Sequence, residues 1–288
     1  MNNLISNIKS LRNLTGAGFL DCKKALEENE NDIEKSINFL RKKGLAKATK
    51  KSNRVANEGA VGIYSSDKLV TLIEINTETD FAAKNDIFLD FMNQIGNFTL
   101  EVSDLKITSE EFSKLKFNDK EVSEYFTDII SKIGENIVLS KLIFLQIPSE
   151  TLISTYIHNS YKNNIGKIAV VLNSKVEELS EEAKILGKNL CMHIAASKPL
   201  SIDIDSLDIE LINKEKEVQF ASIKSSGKPD NILDKILEGK MKKFYSESTF
   251  LNQPYILDPD KDVKQTISEF SKNNDFQIID YKLIVLGA

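Results

Sequence analysis

Apolar positions in the chain change their period several times, and each change marks an element. Leu4, Ile8 and Leu11 recur at helical spacing and predict a first short helix, ended by the turn Thr15-Gly-Ala-Gly18. Asp21 to Glu28 reads as a second helix. Ile33, Ile37 and Leu40 stripe a third, which Asn31 or Asp32 can cap and Gly44 stops. Lys42 to Arg54 is basic, has no apolar period and reads as a linker. From Glu58 the period becomes two: Ala60–Tyr64 and Leu69–Ile75 flank Ser65-Ser-Asp67 as a hairpin. The second run breaks at Thr77-Glu78-Thr79-Asp80, and a helix with Phe88, Phe91, Ile95 and Phe98 on one face is expected from Phe81. A helix near Lys120 to Ile133 follows a polar stretch. The runs Ile137–Ile147, Leu152–His158 and Ile165–Leu172 then read as an antiparallel meander. Helices are expected at Ser180–Ser197, Ser206–Lys224, Asn231–Tyr245 and Asp262–Lys272, and a last strand at Phe276–Leu286. The two middle helices are joined by Ser225-Ser-Gly-Lys-Pro229 and read as a hairpin. Strands and helices are segregated, so the fold class is α+β.

Composition changes this picture in one respect. The 288 residues suffice for two or three modules, and 41% hydrophobic with 28% charged residues is ordinary for a globular protein. The net charge of −5 hides an asymmetry: residues 1–54 hold 12 Lys/Arg against 6 Asp/Glu, a net of +6, which leaves −11 on the rest. A basic head on an acidic body points to an acidic partner for the head, and RNA binding by this head is the alternative reading of function. No apolar run approaches the roughly 20 residues of a membrane span. The N-terminus has neither the apolar core of a signal peptide nor the Arg-rich helix of a transit peptide, and Cys22 and Cys191 stand far apart. A cytoplasmic location is expected.

Chemistry is hard to find. His158 and His193 are in different elements, and no Cys or His cluster has metal-ligand spacing. Thr15-Gly-Ala-Gly18 lacks the Gly-Lys-Ser/Thr ending of a phosphate loop, and no Gly-x-Ser-x-Gly occurs. No enzyme activity and no cofactor are expected. The Thr79-Asp-Phe81 break stands out instead, since it offers a carboxylate and a phenyl ring at a loop tip. Asp80 reads as a cap for the helix starting at Phe81. Phe81 stands seven residues before Phe88, hence on the same helical face. It either tops the core stripe or, left exposed, answers to a partner.

These residues resemble a known family. Leu11-Arg-Asn-Leu-Thr-Gly-Ala-Gly-Phe-Leu-Asp-Cys-Lys-Lys-Ala-Leu26 is similar to the N-terminal signature of the elongation factor Ts family, and Glu78-Thr-Asp-Phe-Ala-Ala-Lys84 to its second signature. Ile133-Gly-Glu-Asn-Ile137, His193-Ile-Ala-Ala-Ser-Lys-Pro199, Ser226-Gly-Lys-Pro229, Glu238-Gly-Lys-Met-Lys-Lys-Phe244 and Asn252-Gln-Pro254 match further blocks in order. The resemblance implies a bacterial translation factor that binds elongation factor Tu and accelerates GDP release by disturbing its magnesium and phosphate site, without covalent chemistry or direct nucleotide binding. It implies that residues 1–54 form a small domain resembling a ubiquitin-associated fold, with Arg12, Gly16, Ala17 and Gly18 meeting the GTPase domain. Residues 55–148 would be one core subdomain, and residues 149–186 with 239–288 a second. Residues 187–238 would be a helical-hairpin module able to pair two copies. It further implies that Thr79, Asp80 and Phe81 contact the GTPase near its magnesium site, with Phe81 as a wedge, and that His158 contacts another domain of Tu.

Overall fold

The computed structural model describes residues 2–225, 232–272 and 275–288. The chain divides into two units: Met1–Gln146, Asn159–Lys167 and Ile284–Ala288 make the first, Ile147–His158 and Ile168–Leu283 the second. Helices and antiparallel sheets stay segregated within both, the α+β arrangement expected.

In the first unit, helices α1 (Asn2–Thr15), α2 (Phe19–Glu28) and α3 (Ile33–Lys51) enclose a small core of Ile8, Leu11, Cys22, Ala25 and Leu26. Asp32 caps α3, its carboxylate accepting the Lys35 N–H at 2.9 Å. The hairpin forms as expected from β1 (Glu58–Ser65) and β2 (Leu69–Thr77), with Ser65 opposite Val70. After it come α4 (Asp80–Ala83), α5 (Asp86–Thr99), α6 (Ser109–Ser113), the two-residue strands β3 (Lys116–Phe117) and β4 (Lys120–Glu121), and α7 (Val122–Ile133). Strand β5 (Val138–Gln146) pairs along β2, and β7 (Ile165–Gly166) along β1, giving the order β5-β2-β1-β7. Phe88, Met92 and Ile95 of α5 are fully buried in a core shared with Ile73 and Ile75 of β2 and Ile129 and Ile130 of α7.

Two expectations are corrected here. Helix α3 does not stop at Gly44 but runs through the segment read as a linker, because Lys and Ala favour helix and need no apolar stripe to do so. Gly44 serves packing instead: a Cβ there would stand 2.8 Å from Ser131 Oγ on α7. The three-strand meander does not form either. Every residue of β2 is buried, so β2 takes a partner on each edge, and β5 is the second of them. Pro148 and the left-handed Glu150 (φ 66°) then separate β5 from the next strand.

In the second unit, β6 (Thr151–His158), β8 (Ile168–Val176) and β11 (Phe276–Val285, up to Leu283 in this unit) form a sheet in the order β11-β8-β6. Helix α8 (Glu181–Ser197), capped by Ser180, buries Leu190, Cys191 and Ile194 together with Val170 and Leu172 of β8. Residue 187, where the hairpin module was expected to begin, lies inside this continuous helix. Helices α9 (Ile209–Ser225) and α10 (Leu233–Ser248) pack through Ile223, Leu233, Leu237 and Met241. Past Ser225, the turn expected between them lies outside the described residues. The short strands β9 (Pro254–Tyr255) and β10 (Asp258–Asp262) and helix α11 (Val263–Phe270), capped by Asp262, complete the unit.

Candidate functional site

The end of β2 is fastened on several sides before the chain turns outward. Buried Thr77 donates its hydroxyl to the Thr79 carbonyl at 2.8 Å. Glu78 Oε1 accepts the Asn136 N–H at 2.7 Å and lies 3.4 Å from the Arg54 guanidinium. Thr79 gives its N–H and its hydroxyl to the two carboxylate oxygens of Glu135, at 2.9 and 2.6 Å. The same hydroxyl oxygen accepts the Ala82 N–H at 3.3 Å, so Thr79 is the N-cap of α4.

This geometry corrects the expected role of Asp80 as cap. Asp80 is the first helical residue, and its carboxylate receives a hydrogen bond from Lys84 Nζ at 2.7 Å. That bond holds the Asp80 carboxyl below the usual carboxylate range and raises the Lys84 ammonium. Of the two readings left open for Phe81, the exposed one is found. Helix α4 ends at Lys84, and α5 starts afresh with Asn85, whose Oδ1 accepts the Ile87 N–H at 2.8 Å. Seven-residue spacing therefore does not carry Phe81 onto the face of Phe88: Phe88 is fully buried, while Phe81 is 83% exposed. A ring in that position leaves roughly 1.5–3 kcal/mol of burial unclaimed.

The N-terminal candidates cluster at the turn between α1 and α2. Gly16 closes α1 with φ 66°, its N–H donating to the Arg12 carbonyl at 2.7 Å. Ala17 donates its N–H to Thr15 Oγ1 at 3.3 Å, and Gly18 is the extended residue before α2. A Cβ on Gly16 would lie 2.5 Å from Lys132 Cε, so the turn sits against the last turn of α7. Around it Leu14, Phe19 and Leu20 are 67%, 50% and 78% exposed, a small apolar surface beside the exposed Arg12. Of the cations in the basic head, Arg41 pairs with Glu124, Lys43 with Asp21 at 2.7 Å, and Arg54 with Glu78. His158 belongs to the second unit, exposed at the end of the edge strand β6, with Nδ1 3.0 Å from the Tyr156 hydroxyl. Glu135 and Asn136, within the block Ile133-Gly-Glu-Asn-Ile137, are not among the expected site residues, because nothing in the pattern shows which loop they hold.

Among the described residues no group of three or more His, Cys, Asp or Glu could hold a metal ion, and no helix is long and apolar enough to cross a membrane. The site offers a fixed tip and a small apolar surface. The family model described as Elongation factor TS matches residues 78–288, starting at the tip segment itself. The chain belongs to the elongation factor Ts family. Similarity over most of the chain agrees: an elongation factor Ts of Allorhizobium ampelinum is 38% identical over 266 residues, 92% of this chain and 86% of the relative. Elongation factors Ts of Brucella anthropi (38% over 267 residues, 93% and 86%) and Sinorhizobium fredii (39% over 267 residues, 92% and 86%) match to the same extent. As a member of the elongation factor Ts family, the protein is a translation elongation factor, and Phe81 stands in the part of the chain that the family model covers.

Proposed function

We propose that this protein binds elongation factor Tu carrying GDP and speeds GDP release by pressing the Asp80–Phe81 tip into the GTPase, with no covalent step. The exposed Phe81 ring, held out by a capped and clamped one-turn helix, is the observation that carries this reading. Magnesium demands near-ideal octahedral geometry, so a small shift of the elements that support it weakens nucleotide binding. Each 1.4 kcal/mol of lost affinity is about tenfold in release. One buried ring supplies about 2 kcal/mol, so fast exchange needs further contacts. The α1–α2 turn, with Arg12, Gly16, Ala17, Gly18 and the exposed Leu14, Phe19 and Leu20, is the second contact in this reading, and His158 a third. Linkage is reciprocal: as the factor weakens GDP, GDP weakens the factor equally, and rebinding GTP ejects it.

The finer architecture belongs to the same proposal. Residues 1–54 act as a docking domain of ubiquitin-associated type, which the three-helix core supports. Residues 55–148 are one core subdomain, 149–186 with 239–288 the other, and the hairpin within 187–238 pairs two copies. Phe220 of α9 supports that pairing because it is exposed and lines a groove with Lys216 of α9 and Leu237 of α10. The protein binds no nucleotide itself, needs no cofactor and works in the cytoplasm.

The test mixes the protein with Tu loaded with fluorescent GDP and excess unlabelled GDP. Substoichiometric protein accelerates loss of the label if the proposal holds. An unchanged release rate at saturating protein rejects it.

A further inference from the structure

The turn that follows α7 is bonded to the Thr79–Phe81 tip on one side and to the chain just beyond α3 on the other. Gly134 ends α7 in the left-handed conformation, φ 88°. Glu135 then takes both donors of Thr79 on its carboxylate, as described above. The turn is itself anchored: Asn136 is 3% exposed, and its Nδ2 donates to the Arg54 carbonyl at 2.8 Å and the Ser52 carbonyl at 3.4 Å, just beyond α3. Its backbone N–H goes to Glu78, on the other side. Helix α7 meanwhile carries the bundle, with Ser131 against Gly44 and Glu124 paired with Arg41.

Helix α4 has four residues, too few to hold its own shape in water. Among the described residues, its own side-chain bonds are the Thr79 cap, at 3.3 Å, and the Asp80–Lys84 pair, and both lie within the tip itself. The aim of Phe81 must therefore come from outside the tip. A carboxylate accepting two hydrogen bonds from one residue is strong and directional, and it fixes the residue from which α4 begins.

We propose that Glu135 is a positioning residue: it presets the Thr79–Phe81 tip in its partner-binding pose and, through the Asn136 anchor, ties that pose to the helical bundle. This rests on the reading that tip and bundle meet the same partner. If the clamp is removed, the tip samples other poses, and apparent affinity falls by the fraction that remains competent.

The experiment uses the full chain with Glu135→Ala and Glu135→Gln, each alone and combined with Phe81→Ala. Glu135 is partly exposed, so both variants keep the fold, which a melting curve verifies. Hydrogen exchange at the Thr79 amide is followed in the free protein, and GDP release from Tu is followed against protein concentration. Glu135→Ala is expected to speed Thr79 exchange by roughly fivefold or more. It should raise the half-saturating concentration roughly tenfold and leave the maximal rate within about twofold. Glu135→Gln, which keeps an acceptor for the Thr79 N–H, recovers part of both effects. With Phe81 already alanine, removing Glu135 changes half-saturation several-fold less, since only Asp80 and Thr79 remain to be positioned. Unchanged Thr79 exchange overturns the proposal, as does an equal rise in half-saturation in both backgrounds, which would mark a merely structural role. If the wild-type protein releases no GDP, the functional reading fails, yet Thr79 exchange still decides whether Glu135 holds the tip.

Discussion

Replacing Phe81 with alanine separates a ring that serves the fold from one that serves a partner. A fully buried Phe side chain contributes about 1.5–3 kcal/mol. Phe81 is 83% exposed, so less than a fifth of that, under about 0.5 kcal/mol, supports the free protein. Such a loss moves the melting temperature of a protein this size by about 1–2 °C. At an interface the whole ring is buried, and the same truncation removes about 1.5–3 kcal/mol, which is about 10- to 100-fold in release rate. Phe88→Ala is the internal control. Its ring is fully buried among Ile73, Ile75 and Ile95, and deleting it costs about 3–5 kcal/mol of stability. The assay pairs a thermal melt with labelled-GDP release from Tu at saturating protein. The expected pattern is a near-unchanged melt with slow release for Phe81→Ala, and a sharply lowered melt for Phe88→Ala. Release as fast as wild type refutes the reasoning, and so does a Phe81→Ala melt as low as that of Phe88→Ala.

Asp80→Ala should leave the melt almost unchanged, because Thr79 caps α4, and should slow GDP release; a lowered melt with normal release would return Asp80 to a purely structural role. Gly96→Ala should destabilise the first unit by about 1–3 kcal/mol, since a Cβ there would stand 2.0 Å from the Tyr64 ring; a wild-type urea midpoint would contradict this packing. His193 is fully buried and neutral, with Nε2–H donating to Gln253 Oε1 at 3.0 Å and Nδ1 accepting the Ile256 N–H at 3.2 Å, and burial pushes its pKa below the ordinary imidazole value near 6.5. The unfolded chain therefore takes up the proton first. Stability that is complete above about pH 6.5 falls as pH drops below it, and His193→Gln should flatten the melting temperature between pH 7 and 5; equal slopes would refute the assignment. Phe220→Asp on the α9–α10 groove should lower the mass in solution with α-helical content unchanged, and an unaltered mass would reject pairing through this face.

Local signals in this chain were read well wherever one segment decides its own structure. The α1–α2 turn, the Asp32 cap and the β1–β2 hairpin all stand where their residues put them. Local pattern is silent where a distant partner decides. Strand β5 pairs with β2 and not with β6, a choice that alternation within Val138–Gln146 cannot express. Helix α3 continues past Gly44, which instead lets Ser131 and Thr127 of α7 pack against a surface that has no side chain. Lys42–Lys51 lacks an apolar stripe because much of that stretch faces water along a helix, and polarity alone does not separate that from a linker.

The candidate site shows the same limit at the scale of two residues. A helix running unbroken from Phe81 to Thr99 would rotate seven residues through nearly two full turns, setting the Phe81 ring within about 20° of Phe88 and over the core. The break at Lys84-Asn85 prevents this. Thr79 and Asn85 each offer a capping oxygen, so the segment holds two helix starts six residues apart, and the second resets the phase. Periodicity counted across that reset placed Phe81 with the core stripe; counted from Asn85 alone it places Phe88, Met92 and Ile95 inward and says nothing of Phe81. Exposure of the ring thus follows from the second cap, and its direction from the clamp on the first. Both are polar contacts made by short side chains, which is why an apolar pattern could mark the tip as unusual without saying where its ring would point.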